Sequence, residues 1–465
     1  MMAWKVVVID ELPSLTSHFI DLLDLLLRTV RECQDPFGGV RMLLIGDNGQ
    51  TGPVEKDFPT DKLESIFWFQ ADVIKKARAD ETRDLFRPCV LRVIHRIQDR
   101  TYAEHLKHLW EGKLPPWSVQ FFMQYYKSFE DVELMVRENP NYVFIRPTHQ
   151  GVDEWNQKAL TLLEEAVDAN GEVRYRSRQT FQPFFSRLPD MPPSVSDEQR
   201  SHVTRKYHEE IRMMKKEKMC KKLELVLGAV IRFIVNLSFG MGVVNGKHGT
   251  VVDFMTRTQW MMKKKGETLG ADEDDWHPAE EEVKFPVIEL ADGRRLLCRR
   301  WKFTAPNTGY DDAVASCYML PICLAFATTY HYVKGKEFNK LTIIDATSIF
   351  QKGMMYTGLS RPRLLDTNHL VITHLRGRSE LEALLSRDDL AFQGALRFQQ
   401  EIEEQYFNEF ISRGGVQDEE AQGGNRDDED SSEDEELDQD ANQQDDEIDD
   451  LSSSSGGASG NESSS

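Results

Sequence analysis

Short continuous apolar runs recur along the chain, and they predict strands that are buried on both faces. Lys5–Asp10 and Arg41–Asp47 each contain such a run, and each run ends in an acid. Between them, Ser14–Cys33 carries apolar residues at helical spacing: Phe19, Leu22, Leu23, Leu26 and Val30. A strand, a helix and a second strand with acids at the strand ends predict an α/β sheet with its chemistry at the carboxyl edge.

The α/β pattern stops in the middle of the chain and then returns. Helical spacing is found in 61–79, 101–111, 151–170, 196–222 and 379–410, and apolar runs predict further strands at 142–146, 341–345 and 369–373. The Pro- and Phe-rich stretch 178–194 is interpreted as a loop. Residues 223–304 are strand-like, and Asn245-Gly246 and Asp292-Gly293 are hairpin signals. Inside this region, 261–282 is polar and is interpreted as a mobile insertion.

The net charge of −21 comes from the end of the chain. Val416–Ser465 contains 19 acidic residues and one basic residue, which leaves 59 acidic and 56 basic residues in the remainder. The Asp-, Glu-, Ser- and Gln-rich tail predicts disorder, because it cannot bury a core. The folded part is near neutral, so a polyanionic ligand is not excluded.

The six cysteines are scattered without a Cys-x-x-Cys pair, which argues against a zinc knuckle or a disulfide framework and favours a reducing compartment. The strongest apolar stretch, Leu223–Val244, is interrupted by polar and charged residues and is interpreted as buried strands, not as a membrane span. Neither a signal peptide nor a membrane partner is expected.

Two acidic motifs follow the first two predicted strands. Asp10-Glu11 suits nucleotide hydrolysis, because one acid can hold Mg²⁺ while the next orients or deprotonates water. Asp47 with Gln50 in a Gly-rich turn suits the sensing of a γ-phosphate. Taken singly, either motif could also be an ordinary strand end or an Asx turn.

A third motif, Tyr356-Thr-Gly-Leu-Ser-Arg361, completes an ordered set. With Asp10-Glu11 and Gly46-Asp47-x-x-Gln50 it resembles the motifs of Pif-type (petite integration frequency) DNA helicases, relatives of bacterial RecD in helicase superfamily one. Leu91–Asp99 is similar to the family's fourth motif, which supplies an arginine. Asn245–Val251 and Phe285–Gly293 are similar to parts of a small Src-homology-type barrel that the family inserts in its second motor domain.

The resemblance implies tandem RecA-like parallel-sheet motor domains, the first incomplete, with an inserted small β-barrel and a disordered acidic tail. The expected boundaries are 1–86 for the remainder of the first motor domain, 87–222 and 317–414 for the two parts of the second with its closing helices, 223–316 for the barrel and 415–465 for the tail.

The resemblance also implies roles for individual residues. Asp10 would coordinate Mg²⁺, Glu11 would be the catalytic base, and Gln50, beside Asp47, would sense the γ-phosphate. Arg96 and Arg361 would be arginine fingers that couple closure of the interdomain cleft to phosphate charge. Without the motif match, structural salt bridges would be the simpler explanation for both arginines.

The segment from Thr329 to Phe338 is similar to the family motif Thr-Ile-His-Lys-Ser-Gln-Gly. Thr329 and His331 are the expected nucleic-acid contacts, and Gly335 matches too, but Lys334 stands where the family has Gln. The ending Lys-Gly-x-Glu-Phe is closer to the UvrD branch, which makes Glu337 a candidate nucleotide contact and leaves the direction of translocation open.

The sequence contains no Gly-x-x-x-x-Gly-Lys-[Ser/Thr] loop, which in the family precedes the acidic pair and cradles the phosphates. We therefore expect an incomplete copy of an ATP-dependent DNA helicase, 5′ to 3′ by family expectation, that hydrolyses ATP poorly by itself. The alternative is a nonenzymatic nucleic-acid-binding or scaffold protein with a helicase fold.

The expected cofactors are ATP and Mg²⁺, and the expected partner is single-stranded or forked DNA. The acidic tail could bind basic proteins, and nuclear localisation is expected from the tail and the substrate. The basic helix end at 215–222 could grip phosphates, but a solvated helix face is the simpler interpretation. Trp110, Trp117 and Trp155 could stack on bases, but core packing is the simpler interpretation. All of this requires the carboxylate pair and Arg361 to face one crevice.

Overall fold

The order of strands and helices follows the hydropathy pattern closely. The computed structural model describes residues 3–53, 67–80, 82–91, 94–165, 177–216, 221–263, 267–269, 282–305, 313–351, 353–386 and 390–412. The predicted acidic tail, and the predicted polar insertion except for 261–263, 267–269 and 282, lie outside these residues. Met1–Phe410 form one compact unit and Ile411–Ser465 are assigned to a second.

In chain order the strands are β1 Val6–Ile9, β2 Arg41–Leu44, β3 Tyr142–Arg146, β4 Gln179–Phe181, β5 Phe184–Phe185, β6 Leu223–Leu225, β7 Val230–Phe233, β8 His248–Met255, β9 Glu267–Leu269, β10 Phe285–Leu290, β11 Arg295–Cys298, β12 Trp301–Thr304, β13 Ser316–Met319, β14 Ile322–Leu324, β15 Ala327–Thr329, β16 Leu341–Asp345 and β17 Leu370–Thr373. The helices are α1 Ser17–Arg31, α2 Asp72–Ala79, α3 Arg100–Trp110, α4 Pro116–Met123, α5 Phe129–Glu138, α6 His149–Glu164, α7 Asp197–Lys216, α8 Arg257–Lys263, α9 Met354–Leu359, α10 Arg378–Leu385 and α11 Leu390–Ser412.

The first α/β unit is a parallel pair of strands, β1 and β2, with α1 packed on it. The side chain of Thr16 caps α1 by accepting the N–H of Phe19 at 3.2 Å, and Ile20 and Leu27 are buried. The prediction that both strands are buried on two faces is wrong, because Val8 is 58% exposed and Leu43 52% exposed. Each strand alternates between exposed and half-buried side chains, since one sheet face has no cover among the described residues.

The apolar stripe predicted for α1 is also only partly buried. Phe19, Leu22 and Leu26 are exposed, whereas the buried side chains are Ile20, Asp24 and Leu27. Asp24 is buried for a reason that hydropathy does not show: its carboxylate accepts the N–H of Phe37 at 2.7 Å and the Nε–H of Arg28 at 2.8 Å. The helix therefore packs through a different face from the one that spacing indicates.

The second α/β unit is a four-stranded parallel sheet in the order β15–β3–β16–β17. Every residue of β16 and β17 is buried, as expected for a parallel sheet covered on both faces. Apolar side chains of α3, α4, α9 and α10 form the core on one side, and those of α6 and the inserted sheet join the other. The parallel arrangement of both units agrees with the predicted RecA-like architecture.

The strand-rich middle of the chain forms a six-stranded sheet in the order β14–β7–β8–β10–β11–β9. Neighbouring strands pair antiparallel except β9, which runs parallel to β11. This sheet includes β14, which lies beyond the predicted boundary at residue 316. Gly246 and Gly293 occupy the two predicted hairpin turns with positive φ of 88° and 80°.

Two elements differ from the sequence-based expectation. The stretch 178–194 contains β4, which pairs with β6, and β5, which pairs with β13 in a small sheet with β12. The helices α4, at 116–123, and α5, at 129–138, were not predicted from the sequence. Cys317 in β13 is disulfide-bonded, so the expectation of reduced cysteines fails there, whereas Cys33, Cys89, Cys298 and Cys323 are free. None of the helices in the described part of the chain is long and apolar enough to cross a membrane.

The closing helix α11 packs against the core of the first α/β unit. The ring of Phe398 stacks on Phe69 with centroids 4.4 Å apart and meets Trp68 edge-on at 5.2 Å. Arg78 lies over the Phe398 ring at 5.0 Å, and its Nη2 donates to Glu401 at 2.9 Å. The last described helix thus stabilises the first sheet.

We expect Phe398→Ala to lower the free energy of unfolding by about 3 kcal/mol, because it removes a buried ring from three aromatic and cationic contacts. Denaturation followed by the fluorescence of the tryptophans, which include the contacting Trp68, measures the change. Phe239→Ala is the matched control, since the Phe239 side chain is 78% exposed. Equal effects of the two substitutions would contradict the assigned packing.

Candidate functional site

The acidic pair lies at the carboxyl end of β1, as predicted. Asp10 is exposed, and its Oδ1 accepts the N–H of Glu11 at 2.8 Å. Glu11 adopts a left-handed conformation with φ of 53°, which turns the chain into the short 3-10 helix Leu12–Ser14. The turn is fixed by a hydrogen bond from the N–H of Leu12 to the carbonyl of Ile45, at the end of β2, at 2.9 Å.

The surroundings of Glu11 raise the pKa of its carboxyl group. Partial burial raises the pKa of Glu11, and the neighbouring Asp10 raises it further, while Arg361 and Lys334 oppose the change. These two cations come from the second α/β unit. The charge of Arg361, near the end of the fold, therefore acts on the carboxylate of Glu11 near the beginning of the chain.

Asp47 organises the loop that follows β2. Its Oδ1 accepts the N–H of Gly49 at 2.8 Å and the Nε1–H of Trp110 at 2.7 Å. Its Oδ2 accepts Nε2 of Gln50 at 3.3 Å and the hydroxyl of Tyr356 at 2.9 Å. Trp110 is in α3 and Tyr356 in α9, so this one carboxylate joins the loop to two helices of the second unit.

The amide nitrogen of Gln50 donates to Asp47, whereas its amide oxygen accepts no hydrogen bond from the described residues. Within the described residues, Oε1 of Gln50 is buried without a hydrogen-bond partner. A buried acceptor without a donor is uncommon in a native structure, and it suits a bound water or another small donor. This orphaned oxygen fits the predicted role, in which Gln50 would orient the water that attacks a phosphate.

Arg361 is almost fully buried at the end of α9, with 1% of its surface exposed. Its guanidinium donates to the carbonyl of Thr357 at 2.9 Å and to Oγ of Ser360 at 2.7 Å. Among the described residues no carboxylate lies within 4.0 Å of it. Burial lowers the pKa of Arg361 to about 10, and the neighbouring Arg96 contributes to the decrease. A buried guanidinium beside a second arginine favours an anionic ligand.

Arg96 bridges two parts of the second unit. Its Nε donates to Glu337 Oε1 at 3.0 Å, and its Nη1 donates to the carbonyl of Ser360 at 2.9 Å. The other oxygen of Glu337 pairs with Arg363 at 3.0 Å. The candidate nucleotide contact Glu337 is thus engaged by two arginines, which holds Arg96 beside Arg361.

The segment after β15 approaches the acidic pair directly. Gly335 has a positive φ of 67°, and a Cβ atom there would lie 2.8 Å from Oε1 of Glu11. Lys334 projects into the first unit, where its Nζ donates to Oγ of Ser14 at 2.9 Å and to the carbonyl of Thr51. Burial lowers the pKa of Lys334 to about 8, and Glu11 opposes this change.

The two expected nucleic-acid contacts lie at the start of the same segment. Thr329 is buried at the end of β15, and its Oγ1 accepts the N–H of Tyr332 at 3.3 Å. The ring of His331 stacks on the exposed Phe350 with centroids 6.2 Å apart. Burial lowers the pKa of His331, and the nearby Lys334 and His149 add to this, so the imidazole is neutral near pH 7.

A cavity of about 2190 Å³ lies between the two units. Its lining includes four of the predicted residues, namely Asp47, Gln50, Arg96 and Arg361, and also Trp110 and Tyr356. Next in sequence to Gln50 and Tyr356, the buried hydroxyls of Thr51 and Thr357 share a hydrogen bond at 2.9 Å. Asp47 and Gln50 therefore meet Arg96 and Arg361 in this cavity. Its lining does not include the other predicted site residues: Asp10, Glu11, Thr329, His331, Gly335 and Glu337.

The residues at this site fit the phosphates of a nucleotide and the magnesium ion that accompanies them. Arg96, Arg361 and Lys334 provide cationic groups on one side, and the exposed carboxylate of Asp10 is on the other. Within the described residues, no three His, Cys, Asp or Glu side chains are grouped to hold a metal ion. Mg²⁺ commonly binds through one or two carboxylates plus phosphates and water, so Asp10 would suffice as the protein ligand.

Sequence reasoning missed the residues that carry the interdomain contacts. Tyr356 begins the third motif, but the resemblance implies no role for it. Lys334 stands where the family has Gln, and the resemblance implies no role for it either. Trp110 was interpreted as a core residue, but its ring nitrogen binds Asp47. Of the other two tryptophans, Trp155 is buried as expected, whereas Trp117 is 51% exposed.

The comparisons with known proteins agree on one family. The PIF1-like helicase family matches residues 1–75. The chain is 24% identical over 372 residues to the ATP-dependent DNA helicase PIF1 of Danio rerio, covering 78% of this chain and 45% of the relative. It is 25% identical over 423 residues to the ATP-dependent DNA helicase PIF7 of Trypanosoma brucei brucei, covering 84% and 38%. The chain thus spans less than half the length of these relatives.

Solved structures show the same fold. The crystal structure of the Pif1 helicase from Candida albicans matches with a TM-score of 0.58 at 21% identity, over 87% of this chain and 76% of that one. The Bacteroides Pif1 bound to single-stranded DNA matches with a TM-score of 0.53 at 19% identity, over 88% and 76%. These likenesses support a RecA-like helicase fold for the chain.

The bridging lysine predicts a specific dependence of stability on pH. The pKa of Lys334 lies near 8 in the folded chain and near 10.5 when unfolded, so between these values the unfolded state binds more protons. The penalty for burying the charge is complete below pH 8 and disappears as the pH rises toward 10.5. We expect the free energy of unfolding of the unmodified chain, relative to Lys334→Gln, to rise by about 2 kcal/mol across this interval.

Denaturation curves of both proteins at several pH values measure this difference. Lys340, whose pKa burial also lowers to about 8, contributes equally to both proteins and cancels. Lys75→Gln, at an exposed position of α2, is the control and is expected to show no such rise. A difference between unmodified chain and Lys334→Gln that does not change with pH would show that Lys334 is not buried as a charge.

Proposed function

We propose that the chain is a Pif1-type helicase and that it acts as an ATP-dependent DNA helicase or translocase, because it is similar to proteins of that family over most of its length. In this proposal ATP occupies the crevice between the two α/β units, with Mg²⁺ on Asp10. One observation carries the proposal: Asp47 and Gln50 of the first unit and Arg96 and Arg361 of the second line one crevice. Glu11 contacts the second unit at Gly335, where a Cβ atom would lie 2.8 Å from its Oε1.

The geometry supports a division of labour between the two units. The first unit supplies Glu11 as the base for water and Gln50 as the group that orients it. The second unit supplies Arg361 and Arg96, whose charges would stabilise the phosphoryl group in transfer. The hydrogen bonds of Asp47, Thr51 and Lys334 join the two units. A phosphate bound in the crevice between them would therefore draw the two units together.

DNA is the proposed partner, and the relatives support it by name. One related structure is a Bacteroides Pif1 in complex with ADP-AlF3 and single-stranded DNA, and another describes DNA unwinding at forked double-stranded DNA by two coordinating Pif1 helicases. In this chain we assign the DNA contact to the segment that begins with Thr329 and His331. Basic proteins are the proposed partners of the acidic tail, whose residues lie outside the described ones.

Hydrolysis of ATP stimulated by single-stranded DNA tests the enzymatic proposal on the full-length protein. By this we mean the present chain joined to the Gly-x-x-x-x-Gly-Lys-[Ser/Thr] segment that its sequence lacks, because the chain by itself is expected to hydrolyse ATP poorly. We expect Glu11→Gln to reduce the rate by about 10²- to 10³-fold, because the amide cannot accept a proton. The affinity for single-stranded DNA should stay the same. Glu32→Gln is the matched control, since Glu32 is an exposed glutamate of the same unit with a similar left-handed backbone.

The nonenzymatic alternative predicts a different pattern. A scaffold with a helicase fold would bind single-stranded DNA, and neither glutamate substitution would change any measured rate. DNA binding without stimulated hydrolysis in the full-length protein would therefore replace the helicase proposal with the scaffold. A protein that binds no DNA would exclude both.

The direction of movement is a separate prediction. We expect 5′-to-3′ translocation, from the resemblance to Pif-type helicases. Strand displacement on a duplex with a 5′ single-stranded tail should exceed that on the same duplex with a 3′ tail. The Lys-Gly-x-Glu-Phe ending of the segment after β15 makes the test informative, because preferred unwinding of the 3′-tailed duplex would place the chain nearer the UvrD branch.

A further inference from the structure

Thr51 directly follows Gln50 in the first α/β unit, yet each of its polar groups is bonded to the second unit. Its N–H donates to Oγ1 of Thr357 at 3.0 Å, and its own Oγ1 shares a hydrogen bond with the same atom at 2.9 Å. Its carbonyl accepts Nζ of Lys334. Both threonines are fully buried, so loss of the Thr357 hydroxyl would remove a buried partner from two polar groups of Thr51. We call Thr51 and Thr357 the threonine pair.

Thr357 lies in α9 and contacts Arg361 as well. Its carbonyl accepts Nε of Arg361 at 2.9 Å and the hydroxyl of Ser360 at 3.1 Å. Oγ of Ser360 in turn accepts Nη2 of Arg361 at 2.7 Å. Thr357 therefore binds the loop of Gln50 through its side chain and the guanidinium of Arg361 through its main chain.

The threonine pair lies in the middle of a longer contact between the loop after β2 and the second unit. Before it in the loop, Asp47 accepts the hydroxyl of Tyr356 at 2.9 Å. After it, the carbonyl of Pro53 accepts Nε2 of Gln351 at 3.2 Å. Tyrosine, glutamine and lysine side chains are long, whereas threonine has one restricted torsion. The short hydroxyl pair therefore limits the separation of the two units more narrowly than its neighbours do.

The position of Gln50 depends on the backbone around it. Among the described residues its side chain donates one long hydrogen bond, from Nε2 to Asp47 at 3.3 Å. Thr51 fixes the backbone on the other side of Gln50. In the proposed function Gln50 orients water while Arg361 stabilises the phosphoryl group, and such groups lose much of their effect when they are displaced by about 1 Å.

We propose that the threonine pair is a positioning pair for hydrolysis, which sets the distance across the crevice between Gln50 and Arg361. Neither threonine contacts the reacting atoms in this assignment. Thr51 acts through Gln50, its neighbour in sequence, and Thr357 acts through Arg361, one helical turn away. The inference rests on the proposed function, and it adds two residues for which the resemblance implies no role.

Hydrolysis of ATP stimulated by single-stranded DNA tests the pair on the full-length protein. Thr357→Val removes the hydroxyl and keeps the shape of the side chain, so kcat should fall about tenfold or more. The KM for ATP and the affinity for DNA should stay the same, because the pair contacts neither ligand in this assignment. Thr357→Ser keeps the hydroxyl and should restore most of kcat. A full kcat in Thr357→Val would overturn the proposal.

Thr51→Val tests the same contact from the first unit. It removes the bond between the hydroxyls but keeps the N–H of Thr51 on Thr357, so kcat should fall less than in Thr357→Val. The double variant should be no slower than Thr357→Val alone, because the contact is already lost. Independent effects of the two substitutions, which multiply in kcat, would show that the residues do not act as a pair.

Thr342→Val is the matched control. Thr342 is a fully buried threonine in β16 of the second unit, and its Oγ1 donates to the carbonyl of Lys340 at 3.1 Å. Its loss should weaken folding and leave kcat unchanged. A fall in kcat equal to that of Thr357→Val would mean that any buried hydroxyl of this unit matters, and it would overturn the positioning role.

The equilibrium unfolding of the chain provides a readout that needs no nucleotide. Thr51→Val and Thr357→Val should each raise the unfolding constant about two- to tenfold. The double variant should fall short of the product of these changes by about threefold, because the two hydroxyls bond to each other. A double variant equal to the product would overturn the pairing. If Thr357→Val does not fold, Thr51→Val and Thr357→Ser carry the test, and an unchanged unfolding constant and kcat in Thr51→Val would overturn the proposal.

The outcomes separate this inference from the function on which it rests. An unmodified full-length protein that does not hydrolyse ATP would refute the proposed function, and the positioning role would fall with it. Normal hydrolysis by the unmodified protein together with a full kcat in Thr357→Val would overturn the threonine pair alone.

Discussion

The carboxylate of Asp47 is the interaction on which the arrangement of the site depends. Its two oxygens accept four hydrogen bonds, two from the loop after β2 and two from Trp110 and Tyr356 in the second unit. Hydrogen bonds to a charged acceptor are stronger than those between neutral groups. The same carboxylate therefore shapes the loop that carries Gln50 and fixes that loop against α9, which ends two residues before Arg361.

The balance of charge around this contact explains why the crevice suits phosphate. Asp47 accepts hydrogen bonds from neutral donors, and Arg361 is buried without a carboxylate within 4.0 Å among the described residues, so Asp47 and Glu11 offset its charge only at longer range. Arg96 is neutralised in part by Glu337, and Lys334 reaches across to a hydroxyl and a carbonyl. Positive charge is thus concentrated on the second unit, opposite Asp10 and Glu11 on the first, which leaves an anionic ligand with Mg²⁺ as the natural bridge.

Much of the architecture was predictable because it depends on local hydrophobic runs. The parallel strands at 142–146 and 341–345 follow directly from continuous apolar runs, and the acids after β1 and β2 lie where strand ends require. The contacts of Asp47 were not predictable, because Trp110 and Tyr356 are 63 and 309 residues away in sequence. The exposure of Val8 and Leu43 was missed for a similar reason, since a run of apolar residues does not show whether anything covers a sheet face.

The segment from Thr329 to Lys340 connects the first α/β unit to the six-stranded sheet. Lys334 and Gly335 contact the first unit at Ser14, Thr51 and Glu11, whereas Tyr332, Lys336 and Lys340 face the six-stranded sheet.

Backbone hydrogen bonds fix the two ends of this connection. The N–H of Tyr332 bonds to the carbonyl of Thr329 at 3.0 Å, and the N–H of Phe338 bonds to the carbonyl of Arg361 at 3.1 Å. Only one residue separates Lys334, which contacts the first unit, from Lys336, which lies over the ring of Tyr332. The same short stretch of backbone thus joins the first unit to the segment that begins with Thr329 and His331, which is the DNA contact in the proposed function.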